Sequence, residues 1–123
     1  MKMYIAVLDQ VPDHMVPVLV AHSVLGAHKH FIAVNKLEDI FDQGTYKFPE
    51  YIDWFTNNFK KCVVQVNQKE FDKVCSINNA YIGYESTVLE GNPSCAIPLV
   101  TEDAVRPNVL KFAKLWKPKD APP

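Results

Sequence analysis

Residues 11–30, VPDHMVPVLVAHSVLGAHKH, decide the fold, because they carry the chain out of a strand, through a turn and into an apolar helix. Immediately upstream, residues 3–8 read MYIAVL, a short apolar run of the kind that builds a buried strand. Asp9, Pro12 and Asp13 then interrupt the run and mark a turn. Asp13 is placed to cap the next helix by accepting a free N–H of its first turn. Pro17 falls near enough to the helix start that its missing N–H costs little. The spacing predicts a helix over residues 14–28. Its apolar positions, Val16, Val18, Leu19, Val20, Ala21, Val24, Leu25 and Ala27, cover more than one stripe. That breadth is expected of a helix pressed between a sheet and a second surface, and Gly26 permits close approach there.

His22 is the one strongly polar side chain in the middle of this helix. Two readings stay open for it, a satisfied or partly exposed histidine and a group working in a cleft. His14, His28 and His30 do not combine with it into a recognisable ligand set: their spacings do not match the HExxH arrangement, and no carboxylate lies nearby. Neither a metal nor another cofactor is expected.

The chain has 123 residues, enough for one domain with a hydrophobic core; it is read as residues 1–118 with a tail over 119–123. Thirteen basic and 14 acidic residues give a formal net charge of -1, so no general attraction to nucleic acid or anionic membrane is implied. A local basic bias follows Arg106 at Lys111, Lys114, Lys117 and Lys119, read as the solvated face of a terminal helix or as a phosphate-contacting patch. Cys62, Cys75 and Cys95 are widely spaced and odd in number, which fits small hydrophobes in a reducing compartment. Neither a membrane span nor a signal peptide is indicated, and the cytoplasm is the expected location.

Residues 31–49 are the least regular, with a short helix expected around residues 37–41 and a lid or partner surface as a natural use. Residues 49–59, PEYIDWFTNNF, read as a short helix packing its aromatics. Residues 61–66, KCVVQV, give a second strand, and residues 68–77 a helix with Phe71, Val74 and Cys75 on one face. A third strand is expected over residues 80–84. A fourth is expected over residues 95–100, at an edge or bulged because of Pro98. A last helix is expected from near Thr101 to before Pro118. This order predicts an α/β domain, a three-layer α/β/α sandwich around a small mixed four-stranded sheet whose last two strands pair antiparallel.

Four segments carry a resemblance that spans nearly the whole chain: MKMYIAVL opening toward the first helix, AHS at residues 21–23, KKCVVQV, and CAIPLVTEDAV. Together they resemble the archaeal and eukaryotic, or second, class of peptidyl-tRNA hydrolase. Aligned on His22, that family's lysine position falls on Met15 and its glutamine position on Leu19. Aligned on Cys95, its threonine position falls on Thr87 and its aspartate position on Gly83. Glu85 stands two residues from the lost carboxylate, on the same face of a strand but displaced by about 7 Å.

The resemblance implies hydrolysis of the ester joining peptide to tRNA, a reaction that needs a positioned water, donors for oxyanion charge and positive charge for the tRNA backbone. The candidate catalytic residues are His22, Thr87 and Glu85. His22 would orient or deprotonate water, Thr87 would donate to the oxyanion or orient substrate, and Glu85 would orient His22. The losses at Met15, Leu19 and Gly83 rank a diverged domain without the standard catalytic constellation ahead of an active hydrolase. Possible partners are tRNA, a small-molecule ligand taken up by the aromatics of the 31–55 connection, and a second copy pairing through an uncovered sheet edge.

Overall fold

The apolar run after Met1 forms β1 (Lys2–Leu8), and Met3 through Val7 are all buried along it. Alternate side chains of a strand point to opposite faces. Met3, Ile5 and Val7 therefore enter one apolar cluster, and Tyr4 and Ala6 enter another. The computed structural model describes residues 1–34 and 48–119. After β1 come α1 (Val16–Val34), α2 (Pro49–Asp53), β2 (Lys61–Val66) and α3 (Gln68–Cys75). The remainder is β3 (Tyr84–Glu85), β4 (Asn92–Pro93), β5 (Ala96–Thr101), α4 (Asn108–Lys111) and β6 (Lys114–Leu115). The helix expected around residues 37–41 lies outside the described residues.

The main sheet is four-stranded and mixed, in the order β5-β1-β2-β6. β1 runs parallel to β2, with Met3 opposite Lys61 and Leu8 opposite Val66. It runs antiparallel to β5, with Lys2 opposite Thr101 and Val7 opposite Ala96. α1 and Tyr51 and Trp54 pack on the Met3–Ile5–Val7 face. Phe71 and Val74 of α3 and Leu110 of α4 pack on the Tyr4–Ala6 face. α3 begins with a reciprocal cap in which Asn67 Oδ1 accepts the Glu70 N–H and Glu70 Oε1 accepts the Asn67 N–H, each at 2.8 Å.

Four expectations are corrected. The first helix is entered through a 3₁₀ turn (Asp13–Met15) and runs on to Val34, because the apolar pattern continues through the buried Phe31. Asp13 does not cap it: Asp13 Oδ2 accepts the Lys119 N–H at 2.7 Å, while Lys119 Nζ donates to the Val11 carbonyl at 3.0 Å.

Residues 80–84 do not join the main sheet. Pro98 sits on the edge strand β5 opposite Ile5, and its carbonyl, facing outward, accepts the Tyr81 N–H at 3.2 Å. The nitrogen of a strand residue faces the same way as its carbonyl, so the outer edge lacks a donor where a further strand would need one. Only Tyr84 and Glu85 are extended in pairs, and they pair with Asn92 and Pro93 in a separate two-stranded ribbon.

The long terminal helix is also absent. A residue before proline is driven out of the helical region, and Arg106 is extended ahead of Pro107 (φ -62°, ψ 142°). A 3₁₀ turn (Asp103–Val105) and the short α4 take its place, and the chain then returns as β6 along β2. The Tyr4 hydroxyl donates to Asp103 and fixes this turn against β1. Lys111, Lys114, Lys117 and Lys119 are thus spread over a helix end, an edge strand and the following coil instead of sharing one helical face.

Among the described residues, no helix is long and apolar enough to cross a membrane. Leu19 is fully buried where α1 meets the sheet. Leu19→Ala is expected to lower the unfolding free energy by about 2–5 kcal/mol in urea titration with little change in the slope. A loss below about 1 kcal/mol would contradict this docking of α1.

Candidate functional site

Among the described residues, Glu85 is the one charged side chain that is buried, at 1 % exposure. Its carboxylate lies at the centre of the loop that follows β3. Oε1 accepts the Thr87 N–H at 2.6 Å, and Oε2 accepts the N–H groups of Val88 at 2.8 Å and Leu89 at 2.9 Å. Burial works against the charged form of Glu85. The N–H groups of Val88, Thr87 and Leu89, together with the Thr87 hydroxyl, outweigh it and hold the carboxyl at about 2. The loop is closed further by Gly91 N–H to the Glu85 carbonyl and Ser94 N–H to the Gly83 carbonyl, both 2.8 Å. Gly91 turns the ribbon at φ 84°, a left-handed conformation that suits glycine.

This loop is tied to α1 by a buried hydroxyl pair. The Ser23 hydroxyl, in the apolar stripe of α1 between Leu19 and Ala27, lies 2.7 Å from the Leu19 carbonyl, 2.7 Å from the Ala96 carbonyl and 3.2 Å from the Ser94 hydroxyl. Tyr81 adds a second tie. A Cβ at Gly26 would lie 2.8 Å from the Tyr81 hydroxyl oxygen, and one at Gly83 would lie 3.0 Å from Tyr81 Cε1. The close approach expected at Gly26 is thus made by a tyrosine ring. His30 meets the same ring, with centroids 5.5 Å apart.

Four-residue spacing sets His22, Gly26 and His30 on one edge of α1. The His22 Nε2 atom is buried and has no hydrogen-bond partner among the described residues. A buried orphan of this kind costs about 1–3 kcal/mol, which makes it the conspicuous feature of this helix.

The structure therefore joins two of the three candidate residues. Glu85 and Thr87 are bonded to each other, with Thr87 exposed on the loop surface. The Glu85–His22 partnership is not formed, since loop N–H groups engage both Glu85 oxygens and His22 Nε2 has no partner among the described residues. Sequence reasoning missed Ser23, Ser94 and Tyr81. The available signal was a single serine, Ser23, four residues from both Leu19 and Ala27 in one apolar stripe, where a buried hydroxyl must find a partner.

Among the described residues, no group of three or more His, Cys, Asp or Glu side chains is placed to hold a metal ion. Burial raises the thiols of Cys62, Cys75 and Cys95, all of them free. None is activated as a nucleophile. Comparison with protein-family models finds none that matches this chain, and comparison with curated proteins likewise finds no match.

An unfolded glutamate titrates near 4.3, well above the folded Glu85 at about 2. As pH falls the unfolded chain takes up its proton first, so the stability Glu85 supplies is whole above about pH 4.5 and is lost as pH falls through about 2. Glu85→Ala is expected to abolish hydrogen-exchange protection at the Thr87, Val88 and Leu89 amides while leaving that of β1 and β2 intact. The stability gap between Glu85→Ala and the parent should close over the same acid range. Unchanged protection at those three amides would contradict the carboxylate-centred loop.

Proposed function

We propose that this chain is a diverged domain on the scaffold of second-class peptidyl-tRNA hydrolases, in their three-layer α/β/α arrangement, that binds a ligand without hydrolysing the peptide-tRNA ester. The observation that carries the reading is the engagement of the Glu85 carboxylate by three backbone N–H groups. A carboxylate held in that way fixes a loop, and no imidazole is among its hydrogen-bond partners.

Three further features support the same reading. Leu19, at the family's glutamine position, is a fully buried core residue. Met15, at the lysine position, packs against the same core and offers a phosphate no cation. Gly83, at the aspartate position, lies against the Tyr81 ring, which would have to give way slightly to a side chain there.

The second reading, a peptidyl-tRNA hydrolase that retains activity, is favoured by the unpartnered His22 Nε2. In that reaction His22 takes a proton from water as the water oxygen bonds to the ester carbonyl carbon. The tetrahedral intermediate then breaks its bond to the ribose oxygen, which receives the proton from His22. Thr87 would donate to the carbonyl oxygen during attack.

Single-turnover deacylation of an N-blocked aminoacyl-tRNA separates the two. The diverged-domain reading predicts a rate within about twofold of buffer alone, unchanged by His22→Ala. Acceleration of about 100-fold or more that disappears in His22→Ala would overturn it and establish the hydrolase.

A further inference from the structure

On the side of α1 away from the Glu85 loop, Val24, Leu25, His28, Tyr51, Trp54, Phe55 and Phe59 line an open cleft of about 190 Å³. The segment that builds its outer wall has an unusual backbone. α2 passes into a π-type turn (Trp54–Asn58), closed by the Phe59 N–H on the Trp54 carbonyl at 2.7 Å. Both ends of the segment are phenylalanines in the left-handed region, Phe48 at φ 57° and Phe59 at φ 65°. Bulky residues seldom adopt that conformation, and both it and π-turns concentrate at ligand sites. The strain presents apolar rings outward, leaving Phe55 40 %, Phe59 51 % and Leu25 70 % exposed.

The chemistry of the walls selects an occupant. Rings meet at several angles: Trp54 and Phe59 are stacked at 5.1 Å, Phe55 and Phe59 are edge-on at 5.8 Å, and His28 lies tilted on Phe55 at 4.7 Å. An inserted ring would find both faces and edges to pack against, which a saturated group would use less well. The volume suits one ring with a small substituent, since an apolar cavity of about 150 Å³ takes up benzene.

Two donors meet these walls. Burial lifts the Tyr51 phenol to about 12, so it keeps its proton, and its oxygen lies 3.0 Å from His28 Nδ1, a hydrogen bond in which either group can donate. With the phenol as donor, the neutral imidazole carries its proton on Nε2, where it is itself a donor. Lys61, beside the lining residues, places Nζ 3.5 Å from the Phe59 ring centroid and 5.7 Å from that of Trp54; it donates to the Phe59 carbonyl at 2.6 Å and forms no ion pair among the described residues. None of the lining residues is acidic.

We propose that this cleft binds a planar aromatic carboxylate, its ring against Phe55 and Phe59, with the buried Trp54 backing them, and its carboxylate toward Lys61 and His28. The site is independent of the reading of the Glu85 loop. Benzoate is the probe, with cyclohexanecarboxylate as the same charge without an aromatic ring and benzyl alcohol as a ring without the charge. Protein-observed NMR should give saturable benzoate shifts confined to residues 24–28 and 51–61, with a dissociation constant near or below about 1 mM. Both control compounds should bind at least about fivefold more weakly. Phe55→Ala, Leu25→Glu and Lys61→Gln should each weaken benzoate by about fivefold or more, with unfolding midpoints held within about 2 °C because all three residues are exposed. No saturable shift up to about 10 mM, or equal binding of cyclohexanecarboxylate, would overturn the proposal. So would self-association abolished by Leu25→Glu without benzoate binding, since a second copy would then be the occupant.

Discussion

The parallel pairing of β1 with β2 is the constraint on which the rest of the structure depends. β1 is hydrogen-bonded on both sides and buried on both faces, so its sequence must be apolar without alternation, and MYIAVL is. The helix that follows β1 covers one face and the helix that follows β2 covers the other. This split gives the domain two cores sharing one strand, and it fixes which side of α1 is left for other work.

The two flanks of α1 are used differently. On one flank, Ser23 and Gly26 accept a loop pressed down by Ser94 and Tyr81, and the interior of that loop is organised by one buried carboxylate. A glutamate that meets three backbone N–H groups is stable as an anion in a buried place because those dipoles replace the water it has lost. Glu85 makes no hydrogen bond to His22 Nε2, which has no partner among the described residues. On the other flank, His28 and Tyr51 hold a polar pair at an aromatic surface built by a strained turn. The first flank is a rigid support, and the second presents open, ring-lined space.

Much of the architecture was legible because it rests on local pattern. The runs of β1, β2 and β5, the apolar breadth of α1 and the edge position of the Pro98 strand all follow from residue type and spacing. What failed depended on partners distant in sequence. Residues 80–84 look like a strand, but a strand needs a ladder, and the imino nitrogen of Pro98 denies them one. Residues 101–117 look helical until the restriction that Pro107 places on Arg106 is weighed against the capping signal at Thr101. Of the site, Glu85 and Thr87 were each visible as candidates, but their bond to one another and the engagement of the Glu85 oxygens by the backbone were not, because sequence spacing carries no information on where a loop amide points.

The central claim is that Glu85 anchors a loop as a carboxylate that stays ionised down to about pH 2. The most direct test is the titration of its side-chain carboxyl carbon by NMR in the intact protein. A midpoint at about 2, accompanied by shifts of the Thr87, Val88 and Leu89 amide protons, is the result this structure predicts. A midpoint near the ordinary glutamate value of about 4.3, with those amides silent, would contradict it.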